Sequence, residues 1–120
     1  MDAADLDRLE GESFVYLTTT GRVTGTPHRI EIWFARRGRT LYLMSGGGDR
    51  SDWVRNLRRH PAVHIELGDL DTTGHARLVT DANEDALARE IVTEKYQPRY
   101  SGDLTKWRRS SLPVAIDLDV

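Results

Sequence analysis

Six short segments in which apolar and polar residues alternate constrain the fold that this chain can adopt. The clearest is residues 27–35, where Ile30, Ile32 and Phe34 fall on one face of an extended strand, while charged residues and Trp33 fall on the other. The predicted strands cover residues 13–20, 27–35, 40–44, 62–67, 72–79 and 113–118. Because hairpin turns join most of these strands, we expect a largely antiparallel sheet.

Helices are predicted between the strands. Residues 50–60 form a helix that Pro61 ends, residues 83–96 form an amphipathic helix, and a short helix covers residues 4–10. Residues 97–109 are predicted to be irregular or partly helical. A chain of 120 residues is long enough for one domain, 1–120, with its own core. The predicted class is mainly β with flanking helices: about six strands in a small barrel, with helices over its open side.

The composition argues against several classes of protein. No run approaches the roughly 18 apolar residues of a transmembrane helix. The acidic N-terminal residues lack the order of charged and apolar regions that marks a signal peptide, so we predict a cytoplasmic protein outside the membrane. The chain has no cysteine, which excludes disulfides and thiolate chemistry, and its four histidines show no metal-ligand spacing. No metal site is predicted.

Positive charge is concentrated in the middle of the chain. Between Arg22 and Arg59, nine arginines accompany only three acidic residues, although the whole chain carries a net charge of −2. Arginine offers a planar fork that binds phosphate or carboxylate, so this segment suits an anionic ligand. The alternative is a solvated face with internal ion pairs, which suffices for Arg36, Arg37 and Arg39 beside a hairpin glycine. No nucleic-acid motif is present, so we predict no nucleic-acid partner.

A polar turn at residues 18–25, Thr-Thr-Thr-Gly-Arg-Val-Thr-Gly, follows the first long strand. Its hydroxyl groups, the Arg22 guanidinium and backbone N–H groups beside the glycines can converge on an anion such as a phosphate. The alternative is a hairpin loop in which Gly21 and Gly25 only supply positive φ angles. The turn alone favours the hairpin loop, and the basic segments that follow favour the anion site.

Two later segments could also contact a ligand. The glycine-rich loop at residues 45–48 would let the backbone approach a flat ring closely, or it simply connects a strand to a helix. Trp53 could line a ligand pocket, or it packs in the core against Leu57. Asn56 could orient a ligand group by paired hydrogen bonds, or it caps a local turn.

Taken in order, these segments resemble the deazaflavin-dependent nitroreductases, also called the coenzyme F420-dependent quinone reductases. The matching pieces are the Thr-Thr-Thr-Gly-Arg-x-Thr-Gly turn, the strand with Trp33, the Ser-Gly-Gly-Gly loop, Asp52-Trp53-x-x-Asn56-Leu57 and His60-Pro61-x-Val63. The resemblance extends from about Phe14 to Leu118. It implies a split β-barrel, the fold of a group that also includes pyridoxamine-phosphate oxidase-like flavoproteins.

The resemblance also implies a coenzyme site. In the family, the first Gly-Arg turn lies against the phosphate and acidic tail of F420, and the glycine-rich loop passes close to the ring or its phosphate. Val23 stands where many members carry a second basic residue. The residues implied to bind the coenzyme here are Arg22, Thr24, Gly25, Arg29, Ser45, Gly46, Gly47, Gly48, Trp53 and Asn56.

The resemblance further implies an activity. Tyr96 and Tyr100 match a segment whose tyrosines line the substrate side, and a phenol there can donate a hydrogen bond or a proton to a developing oxyanion. The implied enzyme transfers a hydride from reduced F420 to a small-molecule acceptor: a quinone, a nitroaromatic or an activated enone. The alternatives are an FMN-dependent oxidoreductase and a non-catalytic barrel that binds a cofactor or haem. The resemblance allows a homodimer as well as a monomer.

Overall fold

The computed structural model describes residues 3–120, so the first two residues of the predicted 1–120 domain lie outside it. Its strands are β1 (Val15–Thr20), β2 (Pro27–Ile32), β3 (Ala35–Arg37), β4 (Thr40–Ser45), β5 (Ala62–Leu67), β6 (Leu70–Leu78) and β7 (Leu112–Leu118). Its α-helices are α1 (Ala3–Asp7), α2 (Asp52–Arg59), α3 (Ala82–Tyr96) and α4 (Thr105–Ser110), with short 3₁₀ turns at Gly48–Arg50 and Gln97–Arg99.

A single antiparallel sheet contains these strands in the order β2-β1-β5-β6-β7-β4-β3. The predicted class, mainly β and largely antiparallel with flanking helices, is confirmed. The described residues contain seven strands rather than about six, because the segment predicted as one strand at 27–35 divides into β2 and β3.

The division falls at Trp33 and Phe34, which join the two edge strands of the sheet. Because β2 and β3 stand at opposite ends of the strand order, a link of two residues requires the sheet to curl until the end of β2 lies next to the start of β3. The result is a split barrel. Phe34 is fully buried in the barrel interior, whereas Trp33 packs on the outer side against a second hydrophobic cluster.

The barrel interior holds the main hydrophobic core. Alternate residues of each strand point inward, as in β1, where Val15 and Leu17 are fully buried and Tyr16 between them is not. The amphipathic helix α2 adds Val54 and Leu57 to this core. The same packing fixes α2 beside the end of β1, which positions the candidate site described below.

The second cluster lies on the outer face of the sheet, beneath α3. It includes Tyr42 of β4 together with Ala88 and Val92 of α3. Asp81 begins this helix, because its side chain accepts a hydrogen bond of 2.9 Å from the backbone N–H of Glu84. The predicted helix at 83–96 agrees with α3 to within one residue.

Other predicted boundaries differ more. The predicted helix at 4–10 ends at Asp7 and continues as turns, and the predicted helix at 50–60 begins with a 3₁₀ turn before α2. The region 97–109 contains the defined helix α4, at whose start Asp103 accepts hydrogen bonds from Thr105. Within residues 3–120, every helix is too short or too polar to cross a membrane.

A network of partly exposed hydrogen bonds and ion pairs joins α3 to the sheet. The Arg77 guanidinium donates to Glu84 at 2.6 and 2.8 Å and to Asp117 at 2.8 Å, and the Tyr42 hydroxyl donates to Glu84 at 2.7 Å. The hydrogen bonds from Arg77, followed by the one from Tyr42, lower the pKa of Glu84 from 4.5 to about 2. The ionised carboxylate therefore stabilises the contact between α3 and the barrel.

The side chain of Lys95 in α3 has a buried ammonium group. Its Nζ lies 3.5 Å from the centroid of the Phe34 ring and is buried without a hydrogen-bond partner among the described residues. Desolvation, with a smaller contribution from nearby Arg99, lowers the pKa of the Lys95 ammonium from 10.5 to about 8. Desolvation of the ammonium therefore opposes the favourable cation–π contact with the Phe34 ring.

Candidate functional site

The Gly-Arg turn between β1 and β2 is a closed loop with internal hydrogen bonds. The backbone N–H of Gly21 donates to the carbonyl of Thr26 at 2.7 Å, and that of Gly25 donates to the carbonyl of Gly21 at 2.9 Å. Gly25 has φ +76°, a conformation that favours glycine. A Cβ on Gly21 would lie 3.0 Å from the carbonyl oxygen of Thr26 and 2.8 Å from Nε2 of His28, so glycine suits the close approach of the two ends of the turn.

Asn56 of α2 anchors this turn from inside the protein. Its Oδ1 accepts hydrogen bonds from the backbone N–H of Arg22 at 3.2 Å and from Arg22 Nη1 at 2.9 Å. Its Nδ2 donates to the hydroxyl of Thr19 at 3.2 Å. Both Asn56 and Thr19 are buried, at 3% and 1% exposure. The amide therefore fixes both the backbone and the guanidinium of Arg22.

Asp52 contacts the same guanidinium from the solvent side. Its Oδ1 lies 3.2 Å from Nη2 of Arg22, and its side chain is 83% exposed, compared with 32% for the arginine. Asp52 and Asn56 are four residues apart, so they lie on the same face of α2, one turn from each other. Arg22 is consequently held between a buried amide and an exposed carboxylate.

A cleft of about 470 Å³ opens beside this arrangement, and we call it the turn cleft. It is lined by Gly21, Arg22, Val23, Thr24, His28, Arg29, Ile30, Asp52, Trp53 and Asn56. The structure thus brings together five of the ten residues predicted to bind a coenzyme, and a sixth, Gly25, lies in the same turn. Trp53 lines the cleft and also packs against the barrel core, so its two predicted positions are compatible.

Arg29 borders the turn cleft but makes its contacts on the outer face of the sheet. Its Nε donates to Glu66 at 2.8 Å, and its guanidinium lies 3.9 Å from the centroid of the Tyr16 ring. The hydrogen bond from Arg29 lowers the pKa of Glu66. Both arginines of this cleft are therefore paired within the protein, Arg29 with Glu66 on the outer face and Arg22 with Asn56 and Asp52.

The glycine-rich loop at residues 45–48 begins at the last residue of β4 and leads into the 3₁₀ turn before α2. Ser45 is buried, and its hydroxyl donates to the carbonyl of Gly48 at 2.8 Å and shares a hydrogen bond of 2.8 Å with Ser51. A Cβ on Gly46 would lie 3.6 Å from Nε1 of Trp107. None of the predicted ligands Ser45, Gly46, Gly47 and Gly48 lines the turn cleft, so their role in coenzyme binding stays a prediction.

Four aromatic rings gather around the joint between β2 and β3. Trp33 stacks on Tyr96 with centroids 4.3 Å apart, and the rings of Tyr100 and Trp107 meet Trp33 edge-on at 5.9 and 5.6 Å. Residues Phe14, Glu31, Ile32, Trp33, Met44 and Trp107 line a second space of about 310 Å³, which we call the aromatic cleft. Ile30 of β2 faces the turn cleft and Ile32 the aromatic cleft, so both clefts border the same edge strand.

The two tyrosines predicted to be catalytic occupy different environments. Tyr96 is 3% exposed, and its hydroxyl accepts a hydrogen bond of 3.0 Å from the Phe34 N–H and donates one of 2.8 Å to the Ser13 carbonyl. Burial is the main cause of the raised pKa of Tyr96. Tyr100 is 47% exposed at the edge of the aromatic group. Tyr100 is thus the more accessible of the two, and the catalytic role of either remains a prediction.

The sequence reasoning did not select three residues that shape the turn cleft: Thr19, His28 and Asp52. Thr19 and His28 follow from the register, because they stand opposite each other in the β1–β2 pair and face the same side as the core residues. The i, i+4 spacing between Asp52 and Asn56 was the available signal for Asp52. That spacing becomes informative only when the position of Arg22 is known.

Comparisons with solved structures support the fold. A structure of an F420-H2-dependent reductase (FDR-A) is 18% identical, with a TM-score of 0.70, over 89% of this chain and 94% of that one. A structure from Listeria innocua named for pyridoxamine 5′-phosphate oxidase is 22% identical, with a TM-score of 0.72, over 98% and 92%. A third, described as a domain-swapped dimer, is 20% identical, with a TM-score of 0.70, over 89% and 80%.

These structural similarities identify the fold, and the family follows from the sequence itself. The profile described as F420H(2)-dependent quinone reductase matches residues 2–119, which is nearly the whole chain. This match identifies the protein as an oxidoreductase that uses coenzyme F420. The chain belongs to the F420H2-dependent quinone reductase family.

Proposed function

We propose that the protein transfers a hydride from reduced F420, held in the turn cleft, to a quinone, a nitroaromatic or an activated enone beside it. The observation that carries this proposal is the position of Arg22, whose guanidinium is fixed by the buried Asn56 and borders a cleft of about 470 Å³. An anchored arginine in an open cleft is suited to a phosphate or a carboxylate.

The residues of the turn cleft fit the chemical groups of the coenzyme. F420 carries a flat deazaflavin ring, a phosphate and an acidic tail. Arg22 and the Thr24 hydroxyl offer donors to the phosphate, while Ile30 and Trp53 offer apolar surface. The cleft volume falls within the roughly 300–1,000 Å³ typical of ligand sites. Arg22 and Thr24 would therefore hold the anionic part, with Trp53 beside the ring.

When bound, reduced F420 supplies the hydride, and the protein supplies position and environment. Ordered hydrogen-bond donors near the acceptor would stabilise the negative charge that develops on it. We place this function at the Tyr100 hydroxyl, which is accessible, rather than at the Tyr96 hydroxyl, which two backbone groups already occupy. No nucleophilic side chain is needed for such a reaction.

The aromatic cleft is our candidate for the acceptor. It adjoins the turn cleft along β2 and is lined by Trp33, Trp107 and the half-exposed Phe14. Flat aromatic walls suit flat acceptors such as quinones and nitroaromatics, because ring stacking adds to the burial of apolar area.

Coenzyme binding can be tested by titrating the purified protein with F420 and with FMN, following the fluorescence of each. We expect saturable quenching of F420 and much weaker binding of FMN. Tighter binding of FMN would replace the F420 proposal with the flavin alternative. In the same titrations, Arg22→Ala removes the cation proposed to bind the phosphate. Arg37→Ala, on the exposed β3–β4 hairpin, is its matched control for the loss of one positive charge.

Turnover is tested separately. Reduced F420 is mixed with menadione, a nitroaromatic or a cyclic enone, and the reappearance of oxidised F420 is recorded by absorbance. We expect reoxidation that requires both protein and acceptor. Coenzyme binding without turnover on any of the three acceptors would contradict the proposed reaction and favour the non-catalytic alternative.

We also propose that the protein forms a homodimer. One similar structure is described as a domain-swapped dimer. The outer face of β1, β2 and β5 carries Tyr16, Arg29 and Glu66, which pair across the strands and are partly or fully exposed. Size-exclusion chromatography with light scattering should give twice the chain mass of 13.6 kDa. A single-chain mass at all concentrations would contradict this assembly.

A further inference from the structure

We propose that Asp52 is an internal counter-ion that occupies the ligand-facing position of Arg22 and must give way when an anionic group of the ligand binds. The inference rests on the proposed function, in which Arg22 receives the phosphate of F420. It adds a residue that sets how strongly the site depends on that phosphate.

The geometry divides the Arg22 guanidinium into a fixed side and a replaceable side. Nη1 donates at 2.9 Å to Asn56, which is 3% exposed and also bonded to Thr19. Nη2 meets Asp52 at 3.2 Å, and the Asp52 side chain is 83% exposed. The Asp52 side chain makes no other hydrogen bond or ion pair with the described residues.

The two contacts of Arg22 also differ in strength. An exposed ion pair contributes little to stability, because water screens the charges and both side chains lose freedom. A phosphate can accept two hydrogen bonds from one guanidinium, which makes a stronger contact. A ligand phosphate can therefore replace Asp52 on Nη2, while Asn56 continues to hold the arginine in place.

The replacement has a consequence for selectivity. A phosphate-bearing ligand must separate Asp52 from Arg22 and then bind near a free carboxylate, so the wild-type protein binds it less tightly than it otherwise would. A ligand without the phosphate leaves the ion pair intact. Its binding neither separates Asp52 from Arg22 nor brings a second negative charge close to Asp52. Removing the Asp52 charge should therefore favour the phosphate-bearing ligand alone.

The test compares Asp52→Asn with the wild-type protein in titrations with F420 and with the corresponding deazaflavin nucleoside that lacks the phosphate. We expect Asp52→Asn to bind F420 about three- to tenfold more tightly at low salt, the scale of one exposed ion pair plus relief of repulsion. Binding of the phosphate-free compound should change by less than about twofold on the same scale. Asp49→Asn, an exposed acidic residue in the preceding 3₁₀ turn, is the matched control.

A double variant separates the local contact from a general charge effect. In an Arg22→Gln background, Asp52→Asn should no longer improve F420 binding, because the contact that it relieves is gone. Equal gains in both backgrounds, or an equal gain from Asp49→Asn, would overturn the counter-ion role.

Inorganic phosphate provides a second readout without the coenzyme. Added phosphate should raise the melting temperature of Asp52→Asn more than that of the wild-type protein. An equal shift in the two proteins contradicts the inference. If folded wild-type and variant proteins both fail to bind F420, the proposed function is wrong, while the phosphate comparison still decides whether Asp52 competes for Arg22.

Discussion

The indole of Trp33 stacks on the phenol of Tyr96, with ring centroids 4.3 Å apart and ring planes 3° from parallel. The hydroxyl of the same tyrosine accepts a hydrogen bond from the N–H of Phe34. Tyr96 therefore holds both residues of the joint between β2 and β3, one through its ring and the other through its hydroxyl.

Tyr96→Phe should lower the free energy of unfolding by about 1–3 kcal/mol, because the buried Phe34 N–H loses its acceptor and the Ser13 carbonyl its donor. Urea denaturation measures this change. F420 affinity should stay within about twofold of the wild-type value. A fully stable variant that has lost turnover would instead support a catalytic role for the Tyr96 hydroxyl.

Tyr100→Phe should leave stability nearly unchanged, since the Tyr100 side chain is 47% exposed. If its hydroxyl orients or protonates the acceptor, kcat should fall by about 100-fold or more, the usual effect of removing an acid–base group. Single-turnover reoxidation of reduced F420 measures the chemical step. Wild-type kcat in a folded Tyr100→Phe protein would contradict the assignment.

Arg22→Ala should weaken F420 binding by about 1–3 kcal/mol, the range for lost charge-assisted hydrogen bonds. Fluorescence titration measures the affinity, with Arg37→Ala as the control. The melting temperature should change little, because Arg22 lies in a loop and contributes no core packing. Unfolding of Arg22→Ala would show that the turn is mainly structural, and unchanged affinity would reject Arg22 as a coenzyme ligand.

Stability should fall as the pH decreases from about 4.5 towards about 2. The folded pKa of Glu84 lies below its unfolded value because Arg77 and Tyr42 donate hydrogen bonds to the carboxylate, so the unfolded chain binds the proton first. Denaturation at a series of pH values measures the slope. Glu84→Gln should reduce this slope and cost about 1–2 kcal/mol at pH 7. An unchanged slope would mean that other carboxylates cause the acid sensitivity.

Lys95 should add a second rise of stability with pH, in the alkaline range. Its folded pKa of about 8 lies below the unfolded value of 10.5, so the unfolded chain binds the extra proton and stability rises as the pH increases between these values. Lys95→Met should remove that rise and increase stability at pH 7. Lys106→Met, which removes the other lysine of the chain, is the control. Equal pH profiles for Lys95→Met and wild type would contradict the burial argument.

Much of the fold could be predicted from the sequence, because alternation and turn residues are local signals. Segment 27–35 shows where such signals fail. The alternation of its side chains continues through Trp33 and Phe34, which predicts a single strand. In the structure, Phe34 packs in the barrel core and Trp33 against the outer cluster beneath α3. The strand divides there because barrel closure, which depends on strands far away in the chain, requires a bend at that point.

The site was predictable to a different extent. Arg22 and Thr24 stand in a recognisable turn, and the structure places them in one cleft with Trp53 and Asn56. The sequence did not indicate that Asn56 would hold Arg22, because its hydrogen bonds connect residues 34 positions apart. The sequence likewise gave no indication that the Tyr96 hydroxyl bonds to the backbone of Ser13 and Phe34.

The link between the two edge strands also bears on aggregation. Unpaired sheet edges are the usual places where chains add to one another, and closure of a barrel removes them. Here two residues, Trp33 and Phe34, bring the end of one edge strand of the described sheet next to the start of the other, and the clefts proposed for coenzyme and acceptor both border the edge strand β2. Substitutions that loosen this joint would therefore make the unpaired edges of β2 and β3 more accessible to other chains, as well as disturb the site. We expect such variants to lose activity and to aggregate.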